Sequence, residues 1–156
     1  MQTINKQYPY ELAYGLWGNV ADHGSGAIAI ANVCLMDHMT IDLEDILDVI
    51  DWTYHPRLLG GLLGTNPFAI KRILKKCGFK AKFRGFLWNH MNLDKHKYFI
   101  VLYIWKDWLA VGAKYQAGRV GADGKLRLHN PYHQYRNIKD MKKFENMICP
   151  VVFTID

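Results

Sequence analysis

The sequence predicts an α+β fold, with helices in its first half and an antiparallel sheet in its second. Three observations carry that expectation. Residues 25–36, Ser-Gly-Ala-Ile-Ala-Ile-Ala-Asn-Val-Cys-Leu-Met, are small or apolar on most faces and predict a buried helix. Two further segments before residue 78 place apolar residues at helical spacing. After Gly78 the period falls to two, and a continuous apolar run at 98–105 has the length of a central strand buried on both faces.

Thr40 is placed to cap the second helix, where Leu43, Ile46, Leu47 and Ile50 follow the i, i+3, i+4, i+7 rule. Asp42, Glu44 and Asp45 put carboxylates in its first turn, where the helix dipole favours them. A glycine-rich connection follows at 59–65. Asn66-Pro67 then starts the third helix as a cap followed by proline at the first helical position. Phe68, Ile70, Ile73 and Leu74 form its apolar stripe, and Gly78 ends it at C′. Residues 79–83 alternate apolar and basic, as an edge-like strand does. Residues 98–105 and 109–120 read as two strands, with a turn at 121–124 from which 125–129 returns. A short helix at 138–144 and a last strand at 149–155 complete the chain. No repeat, low-complexity tract or linker interrupts it, so 1–156 reads as one domain.

At 156 residues, 50% of them hydrophobic, the chain can bury a core without metal or disulfide staples. No apolar run approaches the roughly 20 residues of a membrane helix. The opening Met-Gln-Thr-Ile-Asn-Lys lacks the charged-then-apolar pattern of a signal peptide. A cytoplasmic location without a membrane partner is therefore expected. Cys34, Cys77 and Cys149 are odd in number and lack CxxC spacing, so they read as reduced thiols, and neither a metal nor a cofactor is expected. The net charge of +6 comes largely from Lys71, Arg72, Lys75 and Lys76, from Lys80, Lys82 and Arg84, and from Lys139, Lys142 and Lys143. Such clusters concentrate anions. Without an accompanying RNA-binding aromatic signature they read as a solvated helix face and a lysine-protected strand edge, and nucleic acid is not an expected partner.

Ser25, flanked by Gly24 and Gly26 at the start of the buried helix, is the leading candidate for chemistry. Unpaired N–H groups and the positive end of the helix dipole converge there, favouring a nucleophile or an anion. As a nucleophile Ser25 needs a base, a group to orient that base, and oxyanion donors. One strand offers Lys114 and the next offers His129 and Asn130, while Asn19 upstream carries a side-chain amide. Strand alternation sends His129 and Asn130 to opposite faces, so both cannot aim at Ser25. His23 and His55 read as loop residues. Cys34 lies half a helical rotation from Ser25 and reads as core. Trp17, Trp52 and Tyr115 are candidates for stacking at a cleft rim, with core packing as their default role.

Four stretches of the chain stand in a telling order. Gly24-Ser25-Gly26-Ala27-Ile28-Ala29-Ile30-Ala31-Asn32 opens the apolar helix, and Gly64-Thr65-Asn66-Pro67-Phe68-Ala69-Ile70 leads on to Gly78-Phe79. Gly112-Ala113-Lys114-Tyr115 lies on one strand, and Leu128-His129-Asn130-Pro131-Tyr132 follows on the next. In this order they resemble the papain-like cysteine peptidases, specifically the C39-like, bacteriocin-processing branch, over about residues 15–155. The resemblance implies a papain-like fold, with a helical half packed on a sheet and a substrate cleft between them. It puts Ser25 on the cysteine position and Lys114 on the histidine position. Asn130 falls on the base-orienting position, where Asn or Asp is expected. Asn19, six residues before Ser25, falls where the family uses a Gln for its oxyanion hole.

Ser25 and Lys114 together remove the thiolate–imidazolium pair. A hydroxyl does not ionise near neutral pH, and Lys114 acts as a base only when neutral, which burial or neighbouring cations must enforce. The expected reading is a catalytically degenerate, non-catalytic binding module. In it Asn19, Gly24, Ser25, Gly26, Lys114, Tyr115 and Asn130 line the former cleft and hold a peptide or an anionic, nucleotide-like small molecule. Two alternatives stand beside it: a peptidase or amidase using a Ser25–Lys114 dyad, and a protein-interaction module acting through the basic surface at 71–76.

Overall fold

The computed structural model describes residues 2–53, 56–57, 64–85, 92–106 and 111–156. Two short strands, β1 (Ala13–Tyr14) and β2 (Gly18–Asn19), pair antiparallel and lead into a one-turn helix, α1 (Val20–His23). After Gly24 comes α2 (Ser25–Met36), with the predicted limits and every residue buried. A Cβ on Gly24 would lie 2.6 Å from Val20 Cα, so the sharp step between the two helices excludes a larger residue.

α3 (Leu43–Asp51) buries Leu43, Ile46, Leu47 and Ile50, the stripe read from the sequence. Its cap is Asp42 and not Thr40. Asp42 Oδ1 accepts the Asp45 N–H at 2.9 Å, and Asp45 Oδ2 accepts the Asp42 N–H at 3.1 Å. This reciprocal box satisfies two free donors at once, which a threonine two residues earlier cannot do. α4 (Pro67–Lys76) is as expected: Asn66 Oδ1 accepts the Phe68 N–H at 3.0 Å, and Gly78 takes φ 91° beyond the helix end. Lys71, Arg72, Lys75 and Lys76 all face solvent, opposite the buried Ile70, Ile73 and Leu74.

The second half is a six-stranded, wholly antiparallel sheet in the order β3-β8-β4-β5-β6-β7. Its strands are β3 (Ala81–Gly85), β4 (Tyr98–Lys106), β5 (Val111–Val120), β6 (Leu126–His129), β7 (His133–Tyr135) and β8 (Met147–Ile155). A short helix, α5 (Ile138–Phe144), precedes β8 and has the limits expected of it. β7 is the strand the sequence reading left out, because three residues containing His133 and Gln134 carry no apolar alternation. Residues 109–110 of the expected 109–120 strand lie outside the described residues, as do 59–63 of the glycine-rich connection.

β4 explains its own continuous apolar run. Tyr98 and Ile100 join the core formed with α2, α3 and α4, whereas Phe99, Val101 and Tyr103 join a second core with α5. A strand with both faces covered has no polar side to alternate with. The tryptophans correct the default expectation of core packing, since Trp17 is 68% exposed and Trp52 85% exposed. Among the described residues no helix is long and apolar enough to cross a membrane.

Candidate ligand site at the tip of the buried helix

A cavity of about 390 Å³ opens where the N-terminal tip of α2 meets β5. Ser25, Lys114 and Asn130 all line it, so the chain brings together three positions separated by up to about a hundred residues. The register of the sheet makes the room. β5 pairs with β4 along its length, but β6 joins only from the Ala117–His129 pair onward, which leaves residues 112–116 with one edge free of a strand. The Tyr115 N–H on that edge donates to Ser25 Oγ at 3.2 Å.

Lys114 sits half-buried on the wall and forms no hydrogen bond or ion pair with a described residue. Burial pulls its ammonium below the usual lysine range, and the Glu145 carboxylate works in the opposite direction. Lys6 adds a second cation to the lining, and Asp22 a carboxylate. Ala113 and Trp105 complete the strand side. The indole of Trp105 packs over Gly112 across the ladder, where a Cβ would lie 2.7 Å from the ring.

Asn130 takes φ 73°, a left-handed conformation that asparagine tolerates better than most residues. Its Nδ2 donates to Gln7 Oε1 at 3.0 Å, and its carbonyl accepts from Gln116 Nε2 at 3.1 Å. The Asn130 amide therefore addresses the N-terminal segment and does not orient Lys114. His129, on the adjoining position, points elsewhere: it is absent from the cavity lining, and its Nδ1 lies 2.9 Å from Thr3 Oγ1 and 3.0 Å from Asn5 Oδ1. Because Asn5 Oδ1 can only accept, Nδ1 carries the ring proton. Burial, assisted by the Arg119 charge, pushes the imidazole down to about 4, so it is neutral at physiological pH.

Four sequence-derived site residues require correction. Asn19 does not reach the cavity. Its Oδ1 caps α1 by accepting the Asp22 N–H at 2.7 Å, and its Nδ2 donates to Asp22 Oδ2 at 3.0 Å, so both polar atoms are already engaged. Tyr115 meets Ser25 through its backbone only. Its ring is buried on the helical side of the sheet, and its hydroxyl donates to the Thr65 carbonyl at 2.9 Å. Gly24 and Gly26 shape the helix tip without lining the cavity: a Cβ on Gly26 would fall 2.1 Å from Thr65 Oγ1. Thr65 is thus a buried hub, bonded also to the Tyr14 hydroxyl, while Arg57 lies over the Tyr14 ring at 4.6 Å. Of the other histidines considered, His23 is not in the lining and His55 lies outside the described residues.

The wall that the sequence reading missed is the chain's own beginning. Asn5, Lys6, Gln7 and Tyr8 line the cavity opposite β5. The buried Asn32 holds this segment as a strand would, accepting from the Ile4 N–H at 2.6 Å and donating to the Ile4 carbonyl at 2.9 Å. Gln7 Nε2 donates to the carbonyls of Val20 at 2.5 Å and Ala21 at 3.0 Å, fixing the segment to α1. Nothing in residues 2–8 signals this, because the partners lie up to about 126 positions away. Among the described residues no group of three or more His, Cys, Asp or Glu side chains stands close enough to hold a metal ion.

No family model matches the chain, and no curated protein matches it. Among solved structures, the chain is similar to the peptidase domain of Streptococcus ComA, a bi-functional ABC transporter involved in a quorum-sensing pathway. The TM-score is 0.57 at 12% sequence identity, over 91% of this chain and 98% of that domain. At that identity the likeness is one of fold: a mixed helix-and-sheet architecture of the C39 peptidase-domain type.

Proposed function

We propose that this chain is a catalytically degenerate domain of C39 peptidase type that binds an anionic group in the cavity at the α2 tip. The group would be the carboxylate of a peptide or the phosphate of a nucleotide-like small molecule. The observation that carries the reading is Lys114: a half-buried cation whose side chain has no hydrogen bond or ion pair among the described residues, on the wall it shares with Ser25. The resemblance puts a catalytic histidine at that position. An ammonium there supplies attraction for an anion, and the tip of α2 adds N–H donors and its dipole. Titration calorimetry with AMP and with a short free-carboxylate peptide tests the reading. Binding is expected in the unaltered protein and lost in Lys114→Met, and equal binding by both would contradict it.

The lowered basicity of Lys114 favours one second reading, a hydrolase in which neutral Lys114 takes the proton of Ser25. Against it, Asn130 is committed to Gln7, and Asn19 is turned away from the cavity, so the oxyanion donors and orienting group of such a machine are not assembled. A fluorophosphonate probe separates the two readings: labelling of Ser25 that depends on Lys114 supports the hydrolase, and no labelling supports the binding module.

A further inference from the structure

Two neighbouring helices of this fold carry opposite charges that they do not spend on each other. α3 and α4 both pack on α2 and on one another, and their buried stripes enter the same core. Their opposite faces therefore form one outer layer of the molecule. On α3 that layer exposes Glu44, Asp45 and Asp48, and the helix holds no lysine or arginine. On α4 it exposes Lys71, Arg72 and Lys75, and the helix holds no aspartate or glutamate. Among the described residues no α3 carboxylate forms an ion pair with an α4 cation. Asp51 goes to Arg57 instead, and Lys76 Nζ donates to the Trp52 carbonyl where the two helices meet. Two large aromatic side chains stand in the same layer: Trp52, the C-cap of α3, and Phe68, in the first turn of α4 and 79% exposed. None of these residues lines the cavity at the α2 tip.

We propose that this layer docks a second copy of the chain across a two-fold axis, α3 of each copy against α4 of the other. A two-fold axis lays a patch on its own image, so a surface that is acidic on one helix and basic on the next is complementary to itself. Each charge match is then made twice. The contact also covers Trp52 and Phe68, side chains of the kind that anchor interfaces. A polyanion, an acidic protein or an anionic lipid surface would suit α4 alone and would be repelled by α3. A second copy satisfies both helices. The net charge of +6 opposes any association of two copies that does not set base against acid, which favours this one orientation. Helices of 9 and 10 residues make a modest patch, so the dimer is reversible, dissociates on dilution and weakens with salt.

The experiment is sedimentation velocity on the full chain over a concentration series. In low salt the mass is expected to rise from the 18.1 kDa of one chain toward twice that value. In about 1 M sodium chloride, where screening shortens to ~3 Å, it should fall back. Glu44→Lys with Asp48→Lys makes both helices basic, and Lys71→Glu with Lys75→Glu makes both acidic. Each double variant should be monomeric alone, with circular dichroism showing it folded, and an equimolar mixture of the two should restore the dimer. The chain carrying all four substitutions exchanges the two signs and should dimerise by itself, which keeps the test intact where a double variant fails to fold. A monomer at every concentration in low salt, double variants that still dimerise alone, or a mixture that stays monomeric would overturn the proposal. A monomer that instead binds phosphatidylglycerol vesicles would also overturn it and give α4 to a lipid surface.

Discussion

The backbone N–H of Tyr115 donates to the hydroxyl of Ser25 across 90 residues of sequence, and this bond fixes where Lys114 stands. One strand edge is thereby moored to the tip of the buried helix, and the side chain preceding Tyr115 enters the cavity beside Ser25. The ring of Tyr115, on the other face, anchors the same strand to Thr65. Position 114 is held at the cavity by its neighbour, whatever residue occupies it.

That mooring makes the cost of Lys114 measurable. Its folded-state basicity is lowered by burial, so below 10.5 the unfolded chain binds protons more readily than the folded one. The penalty is full at pH values below the depressed folded value and fades as pH rises toward 10.5. Lys114→Met is therefore expected to raise Tm at neutral pH, with the gain vanishing in strongly alkaline buffer. Urea unfolding at two pH values checks both signs.

His129 gives a profile of the same sign in a lower pH window. Burial pushes its imidazole down to about 4 in the fold, below the usual histidine range near 6.5, so it takes up a proton less readily than the unfolded chain as pH falls. Stability is complete above 6.5, drains between 6.5 and 4, and levels off below; the loss is about 3 kcal/mol for a shift of this size. His129→Asn keeps a donor toward Asn5 and should flatten that slope. Amide exchange at Ile4 in acid reports whether the N-terminal wall loosens at the same time.

Asn32 is the internal clamp of that wall. Asn32→Ala removes a fully buried side chain that both accepts from and donates to Ile4, and it strands two backbone groups. A loss of about 2–3 kcal/mol is expected, together with faster exchange through residues 3–7. Chemical denaturation and hydrogen exchange measure the two effects separately.

Gly26→Ala tests the packing of the helix tip. The added carbon would meet Thr65 Oγ1 at 2.1 Å and Thr65 Cβ at 2.4 Å, and Thr65 is held by Tyr14 and Tyr115 and cannot swing aside. Overpacking of this kind costs about 1–3 kcal/mol. The variant should unfold at lower denaturant with an unchanged slope.

Much of this architecture could be read directly from residues. The limits of α2 and α5 followed from an apolar block and a short periodic one, and α4 from Asn66-Pro67 and Gly78, because these signals are local. Ser25, Lys114 and Asn130 came through the order of four motifs, and they do meet at one cavity. The failures share a cause. Asn19 was placed by spacing, yet its amide finds a nearer partner in Asp22 three residues on. Gln7 carries no motif and becomes part of the site only through Asn130, Val20 and Ala21. Tyr115 was assigned to the cleft for its side chain, when the strand's two-residue period turns that side chain away and leaves its backbone facing Ser25.

The most direct measurement is an NMR titration of the ¹⁵N-labelled protein with AMP at neutral pH, in parallel with Lys114→Met. The account predicts saturable shifts at the amides of Ser25, Tyr115 and Gln7 in the unaltered protein, and their loss when the ammonium is removed. Saturation that is unchanged in the methionine variant, or shifts confined to the exposed lysines of α4, would contradict it.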